Sequence, residues 1–477
     1  MTGELIDRTN TTFYRIMKPD SAFRVCLCHS NVENKKLDKI YKYAIKKTYR
    51  GVYMKKVAIV GFGTTQFRAR WIEKTYYELA YDAAKLALED AGIDKKEIGG
   101  VVYGIYNEFF ERQLMPDVYI HNYIGMGLKP SVRVATGGAT GGAAVFVAWS
   151  WIASGLYDSV MVLGVEKATD NYNYVLGHST PEVLKAILFS GDMTFETPMG
   201  ITAAASYALP LVAHMNKYGT PTEKQMAMVS VKNHKNAMNN SIAQSPKLLT
   251  IDDVLNSKMI TYPFKFYDNC LYSEGASAVI LASEDKAKEL TDNPAWITGV
   301  GLSLDKAYAG ERHDITVFTS SVYAGKDAYK MAGIRNPRKD LDFAELHDAF
   351  TGAEILSYEA FNFCKPGEGG KLIEDGVVEM GGELPVNPSG GLIGCGHAVG
   401  ATGVMQTGEA ALQVQGRAEK RQVKNARKGI VQSIGGPATA WTAALIVERI
   451  DKIKVKAKKD SKSQTPVTKK NNEKVVR

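Results

Sequence analysis

NPSGGLIGCGHAVGATGVMQTGEAALQVQ (residues 387–415) sets the grammar of this chain, a glycine-rich loop running straight into a helix with small and apolar residues at helical spacing. VATGGATGGAAVFVAWSWIA (residues 134–153) does the same thing earlier in the sequence. Each loop and helix leads to a strand of buried type, VMVLGV (residues 160–165) after the first and GIVQSIGG (residues 429–436) after the second. Two copies of one loop, helix and strand unit read as a duplication.

Working outward, MKKVAIVGFGTTQF (residues 54–67) opens the first half with a strand, and Thr75 and Glu78 form a capping box ahead of YYELAYDAAKLALEDAG, which stops at Gly92. VVYGIY, ASAVIL, AWITGVGL and TAWTAALIVERI read as further strands, a helix follows Thr319, and FAELHDAF leads from a strand into another helix. The alternation predicts an α/β protein with largely parallel central strands. Its halves are residues 54–294 and 295–450, and a His-, Asn- and Lys-rich insertion at about residues 167–262 is expected to lie over the first half.

At 477 residues, 45% hydrophobic and 23% charged, the chain has material for a large core, which excludes disorder, collagen and a small disulfide scaffold. The net charge of +8 sits at the ends: residues 1–53 carry +6, residues 451–477 carry +7, and the body between them is −5. Residues 1–53 read as a basic leader that is not native, upstream of a true start at Met54, and residues 451–477 as a disordered basic tail without aromatic residues. Lys-rich ends of this kind solubilise, so no nucleic-acid partner is expected. The uncharged run at residues 134–157 reads as a buried helix rather than a membrane span.

Five scattered cysteines point to a reducing, cytoplasmic setting. Cys26, Cys28 and His29 make a metal-like corner with no fourth ligand nearby, so no metal is expected. GFGTTQ has Gln66 where a dinucleotide fingerprint needs its third glycine, which removes a nicotinamide site and leaves a tight turn at a strand end. Neither a Walker loop nor a GxSxG elbow occurs.

HDAF (residues 347–350), NPSGG (residues 387–391), GHAVGATG (residues 396–403) and VATGGATGGAA (residues 134–144) are the informative segments. Through them the chain resembles the thiolase superfamily, and within it the sterol-carrier-protein-type, acetyl-CoA acetyltransferase-like thiolases of bacteria and archaea. AHMNKYG (residues 213–219), VKNHKNAMNN (residues 231–240) and YDNCLYSEGASAVIL (residues 267–281) match further family segments, so the resemblance covers about residues 54–450. It implies a duplicated, five-layered αβαβα body, a homodimer, and a deep site for an acyl-CoA, with coenzyme A as substrate or product and no resident cofactor. It also implies a possible zinc-ribbon and OB-fold partner protein that binds acyl-CoA.

The chemistry accounts for the residue types. Making or breaking a carbon–carbon bond beside a thioester puts enolate charge on the carbonyl oxygen, and fixed donors stabilise it. By the resemblance, His397 helps activate the nucleophile and bonds a thioester oxygen, and His347 supports an oxyanion hole. Gly138, Gly396 and Gly435 let backbone approach the substrate, and Asn387 is the asparagine of the active-site loop.

The pattern breaks at the nucleophile. The family's attacking cysteine aligns with Gly138, and its second, acid/base cysteine with Ser433. Three readings follow. An acyltransferase could use Cys395, two residues before His397; this class leads. A retro-aldolase acting on a 3-hydroxyacyl-CoA needs no acyl-cysteine and could use His397, His347 or Tyr272 as base. A binding subunit would hold the thioester without turning it over. Cys270 and Cys364 read as core-filling thiols.

Overall fold

The structure is a computed structural model that describes residues 54–168, 187–436 and 439–450, together with an isolated antiparallel pair, Leu5–Ile6 with Thr12–Phe13. The expectations for the rest of residues 1–53, including the metal-like corner, and for residues 451–477 lie outside the described residues.

Nine strands form one sheet: β1 (Val57–Thr64), β2 (Gly100–Gly104), β3 (Ser131–Val134), β4 (Ser159–Glu166), β5 (Gly275–Ser283), β6 (Ala295–Leu304), β7 (Phe343–Glu345), β8 (Lys428–Gly435) and β9 (Trp441–Glu448). Their order is β7-β8-β9-β6-β1-β5-β4-β2-β3. In the first half the opening strand β1 pairs with the last strand β5, β5 with the penultimate β4, and β4 with the second strand β2. The second half repeats this with β6, β9, β8 and β7 in the same relative directions. The duplication read from the glycine-rich loops is therefore a repeat of topology. The opening strands join the halves, Val57 to Ile59 running antiparallel to Ala295 to Ile297.

The sheet is mixed rather than largely parallel. Parallel pairing is confined to β2 with β3 and β4, and to β7 with β8, the strands joined by helical crossovers. In each half the final strand slots in antiparallel beside the first, a pairing that local periodicity does not reveal.

Helix α1 (Tyr76–Ala91) begins at the capping box, where the Thr75 side chain accepts from Glu78 N and Thr75 N donates to the Glu78 carboxylate at 2.8 Å, and it ends at Gly92 with φ 67°. Its alanine face lies on β1. A Cβ at Gly61 or Gly63 would collide with the Ala87 or Ala83 carbonyl oxygen, so the glycines of GFGTTQ admit the helix and continue the strand, where a turn was expected.

Helices α2 (Thr140–Ala153) and α8 (Val399–Gln415) pack on each other, and each also packs on strands of both halves. Their backbones touch through glycine: a Cβ on Gly141 would stand 2.7 Å from Gly403 N, and one on Gly403 would strike Gly142 N. With α1 covering β1, β5 and β4, and α5 (Thr319–Ala332) covering β6 and β9, the body is a five-layered αβαβα arrangement. The run at residues 134–157 is thus an interior helix, and among the described residues no helix is long and apolar enough to cross a membrane.

Within the inserted region, α3 (Ala203–Tyr218) and α4 (Glu223–Ala237) pack against α6 (Thr351–Ala360), and α4 also against α7 (Gly391–Cys395), elements of the second half rather than the first. The packing is both apolar and polar: Tyr207, Leu211, Met226 and Val229 share one buried cluster with Phe350, Ala353 and Leu356. Buried Lys232 pairs with Glu354 at 3.0 Å, and Asn233 donates to both Asp348 and Glu354 at 2.7 Å. Residues 169–186 of this region lie outside the description.

Candidate active site

A cavity of about 550 Å³ brings Gly138, Gly435, Cys270, Tyr272, His347 and His397 together, with Tyr106, Tyr207, Phe266, Phe350 and Ile434 forming an apolar wall. The imidazoles of His347 and His397 meet edge to face, ring centres 5.1 Å apart and planes at 84°.

Each ring is set by backbone held from several sides. His347 follows β7: its N–H donates to Gln432 Oε1 at 3.2 Å, Leu346 N–H donates to Asn387 Oδ1 at 2.7 Å, and Gln406 Nε2 donates to the Leu346 carbonyl at 3.0 Å. His397 precedes α8, and its N–H is shared between Ser273 Oγ at 2.8 Å and the Leu271 carbonyl at 3.0 Å. Glu166, fully buried, accepts from Gly400 N–H at 2.8 Å in the first turn of α8 and from Tyr106 and Asn107 N–H, tying that helix end to a cavity wall.

Burial keeps both imidazoles neutral. It holds His397 at about 4, and holds His347 well below the usual histidine range, with the neighbouring His397 adding to the effect. The tautomer of His397 follows from Thr402. The Thr402 hydroxyl donates to the Ala398 carbonyl at 3.0 Å, so its oxygen accepts from His397 Nδ1–H at 2.9 Å. His397 Nε2 therefore carries a lone pair and can take a proton. His347 Nδ1 is buried without a partner.

Gly138 lies just ahead of α2. A Cβ there would collide with the Ile434 carbonyl oxygen and stand 3.0 Å from His347 Cε1 and Nε2. Gly435 is equally confined, since a Cβ would strike the Thr136 carbonyl. The two glycine-rich turns are pressed backbone to backbone beside His347.

Four sequence expectations are corrected. Cys395 is fully buried at the end of α7, gives its S–H to the Ser389 carbonyl at 3.0 Å, accepts from Asn240 Nδ2 at 3.2 Å, and does not line the cavity. Burial and the Glu345 and Glu409 carboxylates push its thiol well up, the opposite of an activated nucleophile. Ser433 faces the central helices: its Oγ lies 2.7 Å from where a Gly142 Cβ would be and has no partner. Gly396, with φ 98°, backs onto Ser273 and turns the chain between Cys395 and His397. Asn387 is fully buried behind His347, bonded to Leu346 and Glu354, and positions that loop without reaching the cavity.

Two residues were passed over by sequence reasoning. Thr402 sat in plain view within GHAVGATG, five residues after His397. Cys270, read as core filling, lines the cavity; its place in YDNCLYSEGASAVIL was the only signal. Among the described residues no group of three or more His, Cys, Asp or Glu side chains could hold a metal ion.

A duplicated α/β body presents two neutral imidazoles beside a glycine-lined cavity, an arrangement suited to proton transfer and to stabilising an oxyanion. Residues 57–247 match the family described as "Thiolase, N-terminal domain", and residues 301–449 match "Thiolase C-terminal domain-like". An acetyl-CoA acetyltransferase of Methanothermobacter thermautotrophicus is 38% identical over 82% of this chain and 99% of its own length. Sterol carrier protein 2 of Bos taurus is 33% identical over 80% of this chain and 70% of its own. Among solved structures, one titled "Ltp2-ChsH2(DUF35) aldolase" superposes with a TM-score of 0.72 at 26% identity, covering 84% of this chain and all of that one. The chain belongs to the thiolase family, and it is an acyltransferase of thiolase type.

Proposed function

We propose that the cavity receives an acyl-CoA thioester and that the enzyme makes or breaks the carbon–carbon bond beside its carbonyl, by thiolysis of a 3-ketoacyl-CoA or the reverse Claisen condensation. His397 Nε2 takes the proton of the incoming thiol, and His347 faces the oxygen that gains enolate charge. The observation that carries this reading is the pair of neutral imidazoles meeting at 5.1 Å over Gly138 in one cavity. Coenzyme A is then substrate or product rather than a resident cofactor.

Because the residue 138 position holds no side chain and Cys395 is walled off, the acyl group passes to its acceptor without resting on either. The same observation favours a second reading, aldol cleavage of a 3-hydroxyacyl-CoA, which needs no acyl-enzyme; the structural neighbour titled as an aldolase supports it. Incubation with 3-ketoacyl- and 3-hydroxyacyl-CoA, with and without free coenzyme A, separates the two. Coenzyme A-dependent thiolysis supports acyl transfer, aldehyde release without coenzyme A supports the aldolase, and tight binding with no turnover would reduce the chain to a binding subunit.

We further propose a cytoplasmic homodimer built from halves 54–294 and 295–450. The edge strand β3 has no strand on its outer side among the described residues and exposes Val132, which suits pairing with a second copy. A second protein component is supported by the two-part title of the structural neighbour, and the zinc-ribbon and OB-fold acyl-CoA-binding protein that the sequence resemblance implies would take that place. Sedimentation of the chain alone, and with such a protein, tests both.

A further inference from the structure

We propose that Cys270 is the proton-transfer residue of the cavity, giving a proton to, and removing one from, the carbon next to the thioester carbonyl. The inference rests on the function proposed above and serves both of its versions, since thiolysis and aldol cleavage alike leave an enolate carbon that must be protonated.

Three observations place the thiol. Asn269 bridges Phe350 in antiparallel fashion, and Cys270 N–H donates to the Ala349 carbonyl at 2.9 Å. In an antiparallel ladder this sets residue 270 opposite residue 349, with both side chains on one face. Cys270 and Ala349 indeed both line the cavity, two residues along from His347. Cys364 and Cys395, the other described thiols, do not. Independently, His347, 1% exposed, turns Cε1 and Nε2 toward Gly138 in the same cavity, 3.0 Å from where a Cβ on that glycine would stand, so a polar ring edge lies beside the space the thiol lines. Ser433, which the sequence resemblance aligned with an acid/base cysteine, is turned toward the central helices and does not line the cavity.

The chemistry fits a donor rather than an attacking thiolate. Burial, reinforced by Asp348, pushes the Cys270 thiol up, so it rests protonated. In thiolysis a coenzyme A thiol adds to C3 of the 3-ketoacyl thioester and releases its proton to His397 Nε2. The C2–C3 bond then breaks, its electron pair forms the C2 enolate, and the S–H proton of Cys270 moves to C2. The proton on His397 passes to the Cys270 thiolate, leaving acetyl-CoA and the shortened acyl-CoA with both residues restored. In aldol cleavage the proton on His397 comes from the 3-hydroxyl, and the second product is an aldehyde.

Exchange of the methyl protons of acetyl-CoA in deuterium oxide, followed by mass spectrometry on the full chain, isolates this step from carbon–carbon chemistry. The expected result is exchange by the unaltered protein and a loss of at least about 100-fold in Cys270→Ala, with acetyl-CoA affinity within about threefold. Cys270→Ser, which keeps approximate size and polarity but carries a far less acidic O–H, is expected to fall similarly and guards against a folding artefact. Exchange at the original rate in both variants would overturn the role of Cys270 and leave the proposed function standing. An unaltered protein that binds acetyl-CoA yet exchanges nothing would overturn both.

Discussion

His397 gives its Nδ1 proton to Thr402, 2.9 Å away, because Thr402 has already committed its own hydroxyl proton to the Ala398 carbonyl. The pair is local in sequence, five residues apart across the start of α8, and both members are buried. It fixes which nitrogen of His397 faces the chemistry, since an imidazole that donates through Nδ1 must accept through Nε2 while neutral. Thr402→Val removes the acceptor at nearly constant volume. We expect turnover to fall about tenfold or more with KM little changed, and Thr402→Ser to recover most of it, as read by steady-state kinetics.

The pH dependence of stability should carry the mark of His397. Its folded value of about 4 lies below the unfolded value of about 6.5, so the unfolded chain binds the extra proton. The corresponding stability is complete above the unfolded value and is lost as pH falls from about 6.5 toward 4, by up to about 3 kcal/mol. Urea melts between pH 7 and 4 should show this decline, and His397→Asn should flatten part of it.

Restoring a cysteine at residue 138 should not restore a thiolase nucleophile. The Ile434 carbonyl occupies the space a Cβ would need, and His347 crowds it from the other side. We expect Gly138→Cys to lower stability by about 1–3 kcal/mol and to yield no acylated protein by intact mass after exposure to acyl-CoA. A stable, acylated variant would show that the two glycine turns can part.

Cys395→Ala tests the same issue from the opposite side. The Sγ bonds to Ser389 and Asn240 are structural, so their loss should cost about 1–3 kcal/mol in thermal or urea unfolding. Turnover should stay within about threefold of the original. A collapse of turnover in a well-folded variant would return Cys395 to the chemistry.

Asn387 should behave as a positioning residue. It occupies the left-handed region at φ 54° while its amide ties Leu346 N–H to Glu354. Asn387→Gly keeps the backbone conformation accessible and removes only the tie. We expect turnover to drop about tenfold with acyl-CoA affinity preserved, measured as a split between kcat and KM.

Much of the architecture was legible in the chain because it is written in local chemistry. Thr75 and Glu78 announce α1 and Gly92 ends it, the repeated glycine loops announce the two halves, and the apolar runs announce β4, β5 and β9. The two histidine motifs were visible for the same reason, as short ordered strings. The antiparallel insertion of β5 and β9 was not, since strand partners separated by more than a hundred residues leave no trace in periodicity.

Direction is what only the tertiary structure decided. Cys395 and His397 are neighbours in sequence, yet the positive φ of Gly396 between them sends one into the core and the other into the cavity. Ser433 sits on a strand, where successive side chains alternate, and falls on the helix side while its neighbour Ile434 meets the cavity. Cys270 became a site residue only because its segment pairs with HDAF, a contact made across about 80 residues. The sequence by itself determined the family and brought both histidine motifs into view; which thiol shares their cavity was decided by which way each backbone turns when distant segments meet.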